Sequence, residues 1–251
     1  MSQETSDLTV KKQAQVPSNS LFEADAKLGL ENMDQDDLAL PFLKLLQNSS
    51  DETKKKHSSY VEGAEPGMFY NTVTKKLYDG AKGIEVIPCF YKLTFPEWAP
   101  FERREGRPVS PDRGADVLSQ TKKDASGKDV LSNGNIIIKT ANHFIIILTE
   151  TGIDKALVAM KSTQLKVSRG WNSMMKSISE KGKNGTFNPP SFSHIYQLRS
   201  TEVTGNFTWY GYNVKLLRKV DNVDLYHQAK SFHTSIKGGQ GKAAEKDDTN
   251  F

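Results

Sequence analysis

The chain has 251 residues, 36% of them hydrophobic, which suffices for one sizeable core with tails. Apolar runs such as Phe144–Leu148 fall far short of the ~20 residues that span a bilayer, and the N-terminus MSQETSDLTVKK lacks a charged-then-apolar leader, so a soluble cytoplasmic protein is expected. Cys89 is the only cysteine, which excludes an internal disulfide and a cysteine-paired zinc site; its setting, EVIPCFY, marks it as a core residue.

The formal net charge of +4 conceals a segregation. Residues 1–53 carry 4 basic and 10 acidic side chains, residues 54–244 carry 29 and 17, and residues 245–251 carry 1 and 3. A basic body between acidic ends favours a polyanionic partner through phosphate contacts and counterion release, and the acidic ends can compete with that partner.

In chain order, residues 1–36 have too little apolar surface to repay ordering and are expected to be a disordered N-terminal segment. MDQDDLALPFLKLLQ then predicts a short helix capped by Asp36 or Asp37, with Leu38, Leu40, Leu43, Leu45 and Leu46 on one face and Pro41 limiting its start. This helix is read as docking on the body, with partner binding as the alternative. GMFYNTVTKKLYDG predicts a hairpin turning at Asn71 to Lys76. KGIEVIPCFYKLTFPEW is a long strand whose alternation changes phase at Pro88, the mark of a bulge; after it Cys89, Tyr91, Leu93 and Phe95 share a face. Residues 99–134, rich in Arg, Pro, Gly, Asp and Lys, read as a long loop insertion.

NGNIIIKTANHFIIILTE and KALVAMK continue as strands. The period then becomes helical, with Val167, Trp171, Met174, Met175 and Ile178 on one face and Gly182 and Gly185 as the stop. Residues 193–203 and 207–217 form two more strands with a turn near Gly205 and Asn206, and Asp221–Ile236 is a terminal helix with an acidic cap. Residues 237–251 are a flexible Gly-rich linker, with Gly238, Gly239 and Gly241, ending in an acidic tail. The expected fold is mainly β with helices: over residues 37–236, an OB-fold-like bent antiparallel barrel with a central and a C-terminal helix. Other β-barrels fit the same pattern.

A sheet that binds single strands needs cations for phosphates and flat side chains for base stacking. If Tyr210, Tyr212, Val214 and Leu216 point inward, alternation places Phe207, Trp209, Asn213 and Lys215 outward. Phe90 and Lys92 likewise oppose Tyr91 and Leu93, Gln197 and Arg199 oppose Tyr196 and Leu198, and Lys139 and His143 oppose Ile138 and Phe144. FPEWAPFERREGRP interleaves Trp98 and Phe101 with Arg103, Arg104 and Arg107. Lys161, Lys166, Arg169, Lys176, Lys181 and Lys183, against Glu180 alone, give a cationic flank around the predicted central helix, with a solvated helix face as the alternative. The five histidines show no metal or catalytic spacing, no nucleophile motif appears, and neither a catalytic role nor a metal or other cofactor is expected.

LALPFLKLLQ, GMFYNTVTKKLYDGAKGIEVIPCFYKLTFPEWAPF, AMKSTQLKVSRGWNSMMKSI and FTWYGYNVKLL resemble single-stranded DNA-binding proteins of tailed bacteriophages, over roughly residues 37–235. The resemblance implies an OB-fold, a sequence-tolerant role protecting single-stranded DNA in phage replication and recombination, and residence in the host cytoplasm. It also implies an acidic tail ending in Phe that recruits a replication polymerase or other replisome proteins. Asp247, Asp248 and Phe251 match that tail, although Lys246, Thr249 and Asn250 make it less acidic. The alternatives are a phage virion or assembly protein that binds no nucleic acid, and a nuclease.

Overall fold

The computed structural model describes residues 19–26, 28–31, 39–205 and 207–239. Its elements are α1 (Asn19–Ala24), β1 (Leu43–Leu45), β2 (Phe69–Asn71), β3 (Leu77–Tyr78), β4 (Ile84–Thr94), β5 (Glu97–Trp98), β6 (Lys122–Lys123), β7 (Asp129–Val130), β8 (Ile136–Ile137), β9 (Thr140–Thr149), β10 (Gly152–Lys161), α2 (Gln164–Ser177), β11 (Glu180–Gly182), β12 (Gly185–Phe187), β13 (His194–Val203), β14 (Trp209–Lys219) and α3 (Val223–Lys237). The protein is mainly β with a few helices, and its sheets are antiparallel.

Five long strands make the central sheet, in the order β10-β9-β4-β13-β14. Both of its faces are covered. On one side Val86, Ile145, Ile147, Val158 and Leu198 pack with Trp171 of α2; on the other Ile87, Cys89, Phe144 and Ile146 pack beneath Ala229 and Phe232 of α3. This explains the near-continuous apolar run of β9, since a strand buried on both sides has no polar face to alternate with. The register of β4 on β9 shifts between Pro88 and Phe90, so the bulge read from the phase change is present. Its effect differs from the expectation: Cys89 and Phe90 both pack on the α3 side, while Leu93 packs on the α2 side.

The expected barrel does not form. Among the described residues no sheet closes, because β10 and β14, the outer strands, do not pair. The seam between them is occupied instead by the segment read as a leucine-faced helix. That segment is extended: Phe42 bridges Leu157 of β10 in parallel, and Leu43–Leu45 pair with Phe69–Asn71 in the small sheet β1-β2-β3. Pro41 lacks an N–H and disfavours helix at the residue before it, so the alternation of Leu43 and Leu45 decides the outcome in favour of a strand. Asp36, Asp37 and Leu38 lie outside the described residues, as does most of the N-terminal segment.

Two glutamines complete the seam. Gln47 accepts from the Tyr210 amide (2.8 Å) and donates to the Tyr210 carbonyl (2.9 Å), and the Gln164 side chain accepts from the Tyr212 amide (3.2 Å). Backbone groups that a neighbouring strand would pair are thus met by side-chain amides. Tyr210 also lies over Gly67, whose φ is +87° and where a Cβ would come within 2.7 Å of the ring.

The insertion is folded. β5, β8, β7 and β6 form a four-stranded sheet in that order around a small core of Phe95, Val117 and Ile137. α2 ends at Ser177, ahead of the glycines read as its stop, and Gly182 and Gly185 instead turn the hairpin β11-β12. The cap of α3 is Asn222, whose side chain accepts from the Leu225 amide at 2.9 Å, one residue beyond the acidic cap expected.

Candidate nucleic-acid interface

A groove of about 1100 Å³ opens along the seam. Its walls are β1 with the segment that follows, the end of β10, the start of α2, and residues 207–212. This is at the upper end of the ~300–1,000 Å³ of small-molecule pockets and leaves room for an extended ligand. Lys44, Lys75 and Lys161 supply positive charge; Tyr60, Tyr70, Phe207, Trp209 and Tyr210 supply rings, and Glu52 is the acidic residue of the lining. Lys44 pairs with Glu52 at 3.0 Å, and the Lys75 ammonium lies 5.5 Å from the Tyr70 ring centroid. Phe207 is 85% exposed. Trp209 is half-buried; its ring leans across Gly211, where a Cβ would come within 3.1 Å of the ring edge. A ring laid against a bare strand in this way is held in place yet keeps area for a base.

Lys161 connects the groove to the insertion. It lines the groove, and its ammonium lies 5.3 Å from the Trp98 ring centroid. The Arg104 guanidinium lies 5.5 Å from Trp98 and 6.0 Å from Phe101, and its Nε donates to the Ala99 carbonyl at 3.1 Å. Partial burial lowers the Arg104 pKa from its ordinary value, with Glu102 acting in the opposite sense. Phe101 is 63% exposed and keeps open ring area; Trp98, only 4% exposed, does not, and its ring lies against two cations.

The other residues expected from sequence scatter. Phe90 packs edge-on to Phe144 and to His233 beneath α3, so it offers no open face. His143 is not outward: it is fully buried, stacked on Trp171 at 4.5 Å, and bonded through Nε2 to the Ser168 hydroxyl at 2.8 Å. Both errors come from treating β4 and β9 as strands with one wet face. Lys92 is exposed and paired with Asp112 at 3.0 Å, and Lys139 is exposed over the Phe95 ring; both sit at the base of the insertion. Arg103 and Arg107 are exposed on the insertion, Lys166 and Arg169 on α2, and Lys215 on β14. The exposed Arg199 donates from Nε to the Ala81 carbonyl at 2.9 Å. Asp247, Asp248 and Phe251 lie outside the described residues. Sequence reasoning missed Lys44, Lys75, Tyr60 and Tyr70, and assigned Lys161 to the helix flank rather than to this groove. The signal available was the alternation of Lys44 and Lys161 with apolar neighbours.

The insertion is pinned by Glu97, which is buried. Its carboxylate accepts from Asn135 Nδ2 at 2.6 Å, from Asn133 Nδ2 at 3.3 Å and from the Arg113 guanidinium. The Asn135 bond first, then Asn133 and Arg113, outweigh burial and hold its pKa below the ordinary 4.5. A depressed carboxylate stabilises the fold fully above its unfolded pKa, and that contribution is lost as pH falls through the folded value. Amide exchange across residues 110–137 is therefore expected to quicken below about pH 4.5. Glu97→Gln should weaken the insertion by roughly 2 kcal/mol at pH 7 and flatten that acid response. An unchanged acid response would exclude Glu97 as its source.

Among the described residues no group of three or more His, Cys, Asp or Glu is placed to hold a metal ion, and no helix is long and apolar enough to cross a membrane. The fold and the groove define a mainly β protein with an open antiparallel sheet and an aromatic, lysine-bearing seam. The chain belongs to the phage family described as Pam3 phage gp34-like protein, which it matches over residues 10–242. No curated protein and no solved structure is significantly similar to it.

Proposed function

We propose that the protein binds single-stranded DNA without strong sequence preference, protecting it during phage replication and recombination. The observation that carries this reading is the seam groove, where Lys44, Lys75 and Lys161 share one lining with the partly open rings of Tyr60, Phe207, Trp209 and Tyr210. The sheet supports it. Numbered by the central strands alone, its order is third-second-first-fourth-fifth with a helix between third and fourth, which we read as an OB-fold whose closing pair is replaced by β1 and two glutamines. In that reading the insertion is the loop between the first and second strands, and residues 204–205 and 207–208 belong to the loop between the fourth and fifth. Those are the two loops with which OB-folds grip oligonucleotides. Phe101 and Arg104 lie on the one, Phe207 on the other. We further propose that Asp247, Asp248 and Phe251 contact replication enzymes.

The test is a fluorescence titration with single-stranded and duplex oligonucleotides over a range of salt. Single strands are expected to bind more tightly than duplex, with log affinity falling linearly in log salt. Equal or tighter duplex binding would refute stacking in the groove. Absence of binding even at low salt would favour a virion or assembly role, and metal-dependent cleavage of the oligonucleotide a nuclease.

A further inference from the structure

Leaving the groove at Gln164, α2 presents Lys166, Arg169 and Lys176 to solvent. At 100° per residue these three, with the exposed Ser173 between them, fall within an arc of about 80°, opposite the buried Trp171 and Met175 face, and extend for about 15 Å. The hairpin β11-β12 follows at once, with Lys181 and Lys183 exposed and Phe187 48% exposed. None of these five cations makes an ion pair among the described residues, and the nearby Glu180 is bound to Lys219. The row therefore carries uncompensated positive charge.

We infer that this row is a second stretch of the nucleic-acid path, along which the phosphates of a strand leaving the seam groove run over α2 to end at Lys181, Lys183 and the Phe187 ring. The inference rests on the groove reading above and adds to it a direction and an extent. Two observations join the parts. Gln164 is at once a groove-lining residue, through its bond to Tyr212, and the first residue of α2. Lys166 begins the row one turn beyond Thr163, an exposed residue of the groove lining whose carbonyl accepts from the Lys166 amide at 3.3 Å. The row has one exposed ring, at its far end, so along α2 it neutralises phosphates without holding bases.

The test uses the full chain and oligothymidylates of roughly 4 to 16 nucleotides, the range of OB-type sites, titrated by fluorescence anisotropy at several salt concentrations. The variant is Lys166→Gln/Arg169→Gln/Lys176→Gln, whose changes are solvent-exposed and keep helix propensity; its melting temperature serves as the folding control. For the longest oligonucleotide the slope of log affinity against log salt is expected to shrink by about 2, since each lost single-strand phosphate contact removes about 0.7. The shortest should bind both proteins alike, and Lys181→Gln/Lys183→Gln should show a deficit only at lengths greater than those at which the α2 variant first does. Equal slopes at every length, or the same deficit at every length, would overturn the path while leaving groove binding intact. Failure of the unmodified protein to bind at any length would instead overturn the groove reading itself.

Discussion

Replacing Trp171 by alanine is expected to lower stability by about 3–5 kcal/mol, the cost of deleting a large ring that the surrounding structure cannot refill. Trp171 is fully buried, stacked on His143 at 4.5 Å and tilted against Tyr196 at 5.9 Å, so it joins α2 to the centre of the sheet. In thermal melts this corresponds to a drop of roughly 6–20 °C for a chain of this size. The same residue governs an acid response. Burial pushes the His143 pKa down to about 3 from an ordinary 6.5. A neutral buried histidine adds stability fully above 6.5, and that contribution is lost progressively as pH falls from 6.5 towards 3. Opening a cavity beside the ring rehydrates it, so Trp171→Ala should show a shallower decline over that window. A variant that melts with the parent would place Trp171 outside the core.

Trp209→Ala is expected to weaken single-strand binding by roughly 1–3 kcal/mol, or about 5- to 150-fold, because one stacking surface is removed. The fold should change little: Trp209 is half-buried at the groove wall, and the backbone beside it is held by Gln47 and by Asn48, which donates to the Thr208 carbonyl at 3.3 Å. Melting temperature and affinity measured on one preparation separate the two roles of tryptophan in this chain. A Trp209→Ala protein with unaltered affinity and a lowered melting point would make that ring a packing element.

Much of the sheet was legible in the sequence because its signals are local. The alternation in Ile84–Thr94, the phase change at Pro88 and the helical face of Val167, Trp171 and Met175 each lie within one element. Whatever depended on a second element was not legible. Alternation separates the two faces of β9 but does not say that α2, whose Ser168 lies 25 residues beyond His143, covers the one taken as wet. The leucines of residues 38–46 fit helix and strand alike until the unpaired edge of β10 is present to receive Phe42. The groove suffered most. Phe207 and Trp209 were found, since an outward ring beside a turn is visible in one strand. Lys44 was not, and Lys161 was placed on the helix flank instead, because the two line one groove only when residues far apart in the chain close the seam.

The folded insertion bears on how the chain finds its structure. Thr94 and Thr140 pair across β4 and β9 although they stand 46 positions apart. The long excursion between them would make this central pairing slow, since closing a large loop costs entropy before any contact repays it. β5 and β8 shorten it: when Glu97–Trp98 and Ile136–Ile137 meet, with Glu97 gathering Asn133, Asn135 and Arg113, only a few residues remain on either side before β4 and β9 begin. The entropic cost of joining the two long strands then falls by roughly 2 kcal/mol. An insertion that folds first through its local hairpins β6-β7 and β7-β8 would thus act as a clasp, after which β4 and β9 join as neighbours in sequence.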